Sequence, residues 1–179
     1  IPPREIKFKR DGIDNATVYY KNGFVTLKRN KLAEINPYTK LDSPIWEHMI
    51  NERSVELIPV KYKKAEYEQF LLNVVGGNMQ RFLSLCSAIG YLMHDYKQES
   101  NAKAIVLCDQ MISDNPNGRT GKSLIGKALE KIKNVERVDG KNFDFKPTFT
   151  FQMVKLGTQI IDFNDVKANF DFERLFSVI

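Results

Sequence analysis

The residues best suited to chemistry lie in a glycine-containing stretch, 103–123, that reads KAIVLCDQMISDNPNGRTGKS. It ends in Gly121-Lys122-Ser123, directly before an amphipathic segment. The first turn of a helix has unpaired backbone N–H groups and partial positive charge, so it attracts anions. At such a position a lysine reaches the terminal phosphates of a nucleotide, and a hydroxyl binds Mg²⁺. We therefore interpret this stretch as a phosphate-binding loop.

The elements around this loop follow from the hydrophobic pattern. Residues 104–108 form a short apolar run and predict a buried strand. Residues 109–120 are rich in Asp, Asn, Gly and Pro and predict a loop. The helix that follows is predicted from apolar residues at helical spacing, namely Leu124, Ile125, Ala128, Leu129 and Ile132. The order strand, loop, helix places the lysine at the helix entrance.

The predicted nucleotide contacts are the last residues of the loop and the first of the helix. Glycine allows close approach of the backbone to phosphate. Pro116 occupies the position of the first glycine in the pattern GxxxxGKS, so the motif is a variant. A polar turn with a solvated lysine is the alternative interpretation. The predicted contacts are Asn117, Gly118, Arg119, Thr120, Gly121, Lys122, Ser123 and Leu124.

A second informative stretch, 158–166, reads TQIIDFNDV and predicts a strand with acids near its end. An acid at a strand tip beside a phosphate-binding loop can hold Mg²⁺ or orient the attacking water. Two registers are open, with Asp165 at the tip beside Asn164, or with Asp162 one step inside. We favour Asp165, and exposed strand-end acids are the alternative. The predicted catalytic residues are Lys122 and Asp165, and the predicted metal ligands are Ser123 with Asp165, or with Asp162 in the other register.

The first hundred residues predict two further regions. Residues 17–20 and 24–28 flank an Asn-Gly pair and predict a β-hairpin in a β-rich region, 1–62. Asp42-Ser43-Pro44 predicts a helix start, with Trp46 on its apolar face as a core residue, although this side chain could also stack on a base. Residues 63–100 predict two helices separated by Gly76-Gly77, and the second has a strong apolar stripe expected to pack in the core.

The last region, 101–179, contains the phosphate-binding loop. Beyond that loop we predict strands at 135–138 and 148–154, and a helix beginning at 171.

Composition narrows the function classes. The formal net charge of +5 is spread along the chain and is compatible with a nucleic-acid partner. No apolar run approaches the roughly 20 residues of a membrane span, and the N-terminus has no signal-peptide core. Cys86 and Cys108 lie on apolar segments without a CxxC motif, so we expect buried thiols in a cytoplasmic protein with no membrane partner.

The two motifs together resemble those of a known helicase group. PNGRTGKSL followed by QIIDFNDV resembles the ATPase core of superfamily 3 helicases. The longer series IGYLMHDYK, AIVLCDQMISDNPNGRTGKSLIGKAL and NDVKANFDFERLFSVI is similar to the primase-associated helicases of bacterial phages and mobile elements. The resemblance covers residues 80–179.

This resemblance implies an AAA+-like fold that forms a homo-hexamer, hydrolyses ATP with Mg²⁺ and moves along single-stranded DNA. Gly118, Gly121, Lys122 and Ser123 match the phosphate-binding motif, known as Walker A. Asp165 matches the second acid of the family's Walker B pair, and Asn164 stands in place of the first. A sensor residue and an arginine finger are expected beyond Ile179.

We therefore expect an α/β chain with an incomplete P-loop NTPase core of the AAA+ type, cut just after the Walker B motif. A helical segment and a small β-rich region precede the core. The expected function is an ATP-dependent DNA helicase of replication. The alternatives are a non-hydrolysing nucleotide-binding or scaffold module, a small P-loop kinase, and plain DNA binding through the N-terminal region.

Overall fold

The computed structural model describes residues 6–58, 65–96, 98, 103–110, 120–146 and 150–177. The chain divides into two compact units, Ile1–Tyr96 and Lys97–Ile179. Each unit combines helix with a small sheet. The predicted α/β class is therefore confirmed at this coarse level.

The first unit contains a four-stranded sheet in the order β3-β2-β1-β4. Its strands are β1 (Asn15–Tyr20), β2 (Gly23–Lys28), β3 (Ile35–Asn36) and β4 (Ile50–Asn51). Strand β1 pairs antiparallel with β2 and parallel with β4, and β3 pairs antiparallel with β2. The sheet is mixed, and the buried side chains of its two central strands form the core of this unit: Ala16, Val18, Tyr19, Phe24 and Val25.

The predicted hairpin is confirmed. Lys21 and Asn22 form its two-residue loop, because Tyr20 pairs with Gly23. Gly23 has φ of 142°, and a Cβ atom there would lie 2.4 Å from the backbone oxygen of Asn36. Glycine is thus required both by the backbone conformation and by the close approach of β3.

The predicted helix after Pro44 is wrong. Glu47–Met49 forms a single 3₁₀ turn, and the chain then enters β4. The reason is sheet pairing, because Ile50 and Asn51 pair with the end of β1 instead of continuing a helix. Trp46 is 48% exposed and is not a core residue as predicted.

Helices α1 (Glu66–Val74) and α2 (Met79–Met93) lie where the pattern predicts them. Gly76 and Gly77 have φ of 66° and 73°, and the Gly77 N–H donates to the Leu72 carbonyl at 2.9 Å, which ends α1. The Asn78 side chain then accepts from the Arg81 N–H at 3.0 Å and caps α2. No residue of α2 is fully buried, so its apolar stripe is only half-covered and not a packed core as predicted.

Helix α3 (Lys122–Leu129) and strands β5 (Val135–Asp139) and β6 (Ile160–Asn164) form the second unit. The two strands pair in parallel. Only residues 130–134 connect α3 to β5. Four apolar side chains are buried in this unit on these elements: Ile125, Leu129, Val138 and Ile160. The amphipathic face of α3 and the β-prone runs thus form the elements that the sequence predicts.

Three other predictions in this unit fail. Residues 104–108 are not in a strand; Val106 is 64% exposed, and Cys108 is exposed instead of buried. The described residues 150–154 of the predicted strand 148–154 lie in turns or irregular chain. The predicted final helix does begin near residue 171, as a 3₁₀ helix, Phe172–Ser177. An apolar run becomes a strand only when a second strand completes its hydrogen bonds, and neither run has such a partner within the described residues.

Candidate functional site

Lys122 is the first residue of α3, and Gly121 directly before it determines how the chain enters the helix. Gly121 has φ of 92°, in the left-handed region that glycine adopts without steric cost. The Leu124 N–H donates to the Gly121 carbonyl at 3.0 Å. This geometry begins the helix abruptly at Lys122.

The amine of Lys122 is held by two oxygen atoms from the preceding loop. Lys122 Nζ lies 2.5 Å from Asp109 Oδ1 and 2.9 Å from Thr120 Oγ1. The side chains of Lys122 and Asp109 are 33% and 29% exposed. The hydrogen bond from Lys122, followed by that from Thr120, lowers the pKa of the Asp109 carboxyl below its ordinary value of 3.8. The result is an accessible ion pair at the entrance of the helix.

Asp109 is a site residue that the sequence analysis did not select. It directly follows the apolar run 104–108, where the sequence predicts only a loop residue. The signal that could have found it is the one used for Asp165, an acid immediately after an apolar β-prone run. Its partner could not be identified, because a separation of thirteen residues along the chain does not fix a contact.

The other predicted nucleotide contacts lie around this ion pair. Ser123 and Leu124 are exposed in the first turn of α3. The Ser123 carbonyl accepts a hydrogen bond from Arg137 Nη2 at 3.0 Å, whereas its side chain carries the predicted metal-binding oxygen. Asn117, Gly118 and Arg119 lie outside the described residues, as does Pro116.

Asp162, the alternative acid, takes part in an ion-pair network between α3 and the sheet. Arg137 on β5 donates to Asp162 Oδ2 from Nε at 3.2 Å and from Nη2 at 3.0 Å. Arg137 Nε also lies 2.9 Å from Glu130 Oε1, as an ion pair without hydrogen-bond geometry. A Cβ at Gly126 would lie 2.4 Å from Asp162 Oδ2. Asp162 is therefore packed directly against the backbone of α3.

Asp165, the favoured acid, lies just beyond the end of β6. It has φ of 52° and is exposed, and it forms no hydrogen bond or ion pair with the residues that the structure describes. At the same sheet edge the Gly140 N–H donates to the Asn164 carbonyl at 2.7 Å. Asp165 thus stands at a strand tip with its carboxylate available.

Contacts with β5 and β6 fix the position of α3. The Ser123 carbonyl accepts from Arg137 Nη2 on β5 at 3.0 Å, and a Cβ at Gly126 would meet Asp162 Oδ2 on β6. The first turn of α3 therefore lies beside Arg137 on β5, and Lys122 and Asp165 form no hydrogen bond or ion pair with each other. In open α/β sheets ligands bind beyond the carboxyl ends of the strands, where Asp165 follows β6.

The chemistry that these residues offer is anion and cation binding by amine and oxygen groups. Lys122 supplies a positive charge, and Ser123, Thr120, Asp109 and Asp165 supply oxygen ligands of the kind that Mg²⁺ prefers. In the part of the chain that the structure describes, no three His, Cys, Asp or Glu side chains converge as a metal site.

The chain matches no family model, no curated protein and no solved structure. Among the described residues, no helix has the length and apolar character to cross a bilayer.

Proposed function

We propose that this chain is part of an ATP-dependent DNA helicase in which Lys122 binds the terminal phosphates of the nucleotide. The observation that carries the proposal is the position of this lysine. It is the first residue of α3, it follows a left-handed glycine, and its amine already contacts a carboxylate oxygen. A phosphate oxygen can replace that carboxylate oxygen with little rearrangement, because both are anionic hydrogen-bond acceptors.

In this proposal the first turn of α3 supplies backbone N–H groups for the phosphates, and Lys122 balances the negative charge on the γ-phosphate. Ser123 and Asp165 would hold Mg²⁺, which supplies charge neutralisation when it is bound. Asp165 would also orient the attacking water. Asp109 would release Lys122 as the triphosphate enters.

The ion pair of Asp162 with Arg137 favours Asp165 in this role. To coordinate a metal ion, Asp162 would have to leave Arg137, and the half-buried guanidinium would then keep only its ion pair with Glu130. Asp165 has no such contact to break within the described residues. We therefore retain Asp165 as the proposed catalytic acid and treat Asp162 as a residue that positions α3.

The wider context of the proposal rests on the sequence resemblance to superfamily 3 helicases. It includes a phage or mobile-element origin, a role in DNA replication, a cytoplasmic location and single-stranded DNA as the substrate track. It also includes assembly of the complete protein into a homo-hexamer with AAA+-like P-loop cores.

One observation favours a second candidate, a nucleotide-binding module that does not hydrolyse ATP. The only carboxylate in contact with Lys122 among the described residues is Asp109, and an amide, Asn164, stands where the resembling family has its first acid. An amide brings no charge to a metal ion. Binding of ATP without turnover would select this candidate.

The experiment compares Lys122→Ala with Lys127→Ala in the same helix. Lys127 is exposed near the C-terminal end of α3 and forms no ion pair with described residues, so it controls for charge and helix stability. ATP binding is measured by calorimetry, and turnover by phosphate release. Loss of one charge-assisted contact to a phosphate should weaken binding by about 10- to 150-fold in Lys122→Ala alone. Equal affinity in the two variants would reject Lys122 as the phosphate ligand.

A further inference from the structure

Three aromatic rings of the first unit form an exposed stack. Phe8 and Trp46 have ring centroids 4.1 Å apart with an interplanar angle of 11°, and Trp46 and His48 lie 6.0 Å apart at the same angle. Trp46 is 48% exposed, and His48 is also exposed. We refer to Phe8, Trp46 and His48 as the aromatic stack.

One backbone hydrogen bond and one ion pair fix the segments that carry Phe8 and Trp46. The Lys9 N–H donates to the Pro44 carbonyl at 2.8 Å, which holds the segment carrying Phe8 beside the segment carrying Trp46. Lys9 Nζ contacts both oxygens of Asp42 at 2.9 and 3.0 Å. The rings are therefore held in a stacked arrangement before any ligand arrives, which reduces the entropy cost of binding.

Positive charge flanks the aromatic stack. Lys7 and Arg10 are exposed on either side of the Phe8–Lys9 pair, and neither forms an ion pair with any residue that the structure describes. Lys9 and Asp42 neutralise one another. Glu47, between Trp46 and His48, is one exposed opposing charge. By contrast, the carboxylate of Asp11, next to Arg10, is buried and accepts hydrogen bonds from the N–H groups of Thr17 and Asp95.

We propose that the aromatic stack is a binding surface for single-stranded nucleic acid, with a base stacked on the exposed rings and the backbone phosphates contacted by Lys7 and Arg10. Every base presents a π-face, so exposed aromatic rings next to cations bind single strands without reading their sequence. The choice of DNA as the ligand rests on the proposed helicase function. The surface itself lies wholly within the first unit and does not require the phosphate-binding site.

Aromatic residues also occur at protein interfaces, so a protein partner is the competing occupant. The flanking cations favour a nucleic acid, because interface cores exclude charge whereas a phosphate backbone attracts it. Self-association through the same surface is therefore an outcome that the experiment must distinguish.

The chain contains a single tryptophan, and it is the central ring of the proposed surface. Its intrinsic fluorescence therefore reports on the site directly. Oligothymidylate of about 20 nucleotides, longer than the roughly 4–16 nucleotides that such surfaces cover, is titrated into the full chain. The proposal predicts saturable quenching of Trp46 fluorescence, and anisotropy of a labelled oligonucleotide should give the same affinity.

Variants separate the contributions of the ring and of the cations. Trp46→Ala should weaken oligothymidylate binding by about 5- to 150-fold, and Trp46→Phe should retain most of it. Tyr67→Ala removes a comparably exposed ring from α1 and should change nothing. Lys7→Ala should lower the dependence of log affinity on log salt by about 0.7, the value for one phosphate contact on a single strand.

Absence of quenching, or equal affinity of Trp46→Ala and Tyr67→Ala, would overturn the proposal. A fluorescence change that follows protein concentration and not oligonucleotide would assign the surface to self-association and would also overturn it. Lys122→Ala should leave the quenching intact. Quenching in a chain that fails to bind ATP would therefore preserve this inference while rejecting the proposed function.

Discussion

Replacing Asp109 by Asn should strengthen the binding of a free triphosphate. Asp109 Oδ1 lies 2.5 Å from the Lys122 amine, and this contact must break before the amine can bind a phosphate. Asparagine has nearly the same shape but no charge, so it competes less strongly with an anionic ligand. The change also removes a negative charge from the entrance that the triphosphate must reach.

The expected magnitude follows from the exposure of the pair. With side chains 33% and 29% exposed, Lys122 and Asp109 form a contact that water partly screens. Exposed ion pairs contribute a factor of about 1.5 to 5 to an equilibrium constant. Asp109→Asn should therefore tighten binding by about 1.5- to 5-fold at low ionic strength, and the gain should shrink as salt screens the charges.

Inorganic tripolyphosphate without Mg²⁺ is the suitable ligand, measured by calorimetry, because it isolates the lysine from metal coordination. Asp171→Asn is the matched control, since it makes the same change of net charge in the same unit. Asp171 pairs with Arg174 at 3.2 Å, and both side chains are well exposed. Weaker or unchanged binding in Asp109→Asn would refute the view that this carboxylate occupies the place of a phosphate. If Asp109 also helps to hold the metal, the same variant should bind Mg²⁺-ATP less tightly while still binding the free triphosphate better.

The effect of Asp109→Asn on triphosphate affinity depends on the ionisation of Asp109. The lowered pKa keeps Asp109 ionised over the neutral range, so its pairing with Lys122 is lost only as the pH falls through that lowered value. The difference in affinity between Asp109→Asn and the unsubstituted chain should therefore be constant between about pH 6 and about pH 8. A difference that changes over this range by more than the titration of the ligand's own terminal phosphates accounts for would show that another group of the protein controls the site.

Two further predictions concern packing and thiol exposure. Gly90→Ala should raise the free energy of unfolding by about 0.5–1 kcal/mol, since its Cβ meets no atom within 4 Å, whereas Gly126→Ala should give a smaller gain or a loss, since its Cβ would lie 2.4 Å from Asp162 Oδ2 and would displace that carboxylate from Arg137. Urea unfolding followed by circular dichroism measures both, and equal stabilisation by both would contradict the contact at Gly126. Exposed Cys108 should react with a thiol reagent faster than half-buried Cys86, whose pKa is raised by burial and by the charge of Glu68. Cys108→Ser should remove the fast phase, and a fast phase that persists would place the reactive thiol at Cys86.

The parts of the fold that the sequence predicts correctly depend on short-range rules. The hairpin requires a glycine at Gly23, and α1 ends where Gly76 and Gly77 adopt positive φ. The positions of α3 and β6 follow from apolar spacing within each segment. In these cases the residues that determine the structure are neighbours in the chain.

The failures concern segments whose structure depends on distant partners. The run 104–108 has strand-forming residues but lies without a strand partner in the described structure. Residues 45–51 have helical spacing, yet Ile50 and Asn51 pair with β1. Tertiary pairing outweighs local preference in such segments.

Long-range contacts at the candidate site also could not be predicted from the sequence. Lys122 could be selected from the motif, because its position at a helix start follows from local spacing. Its contact with Asp109 and the ion pair of Asp162 with Arg137 could not, because both join residues far apart in sequence. The sequence therefore leaves the choice between Asp162 and Asp165 open, and the proposal of Asp165 rests on the ion pair of Asp162 with Arg137.

The most direct test of the central proposal is a crystal structure of the complete protein with Mg²⁺ and a non-hydrolysable ATP analogue. We predict that the Lys122 amine lies about 2.8 Å from a phosphate oxygen and has left Asp109. A structure in which the nucleotide is bound elsewhere, with Lys122 still paired to Asp109, would contradict the proposal.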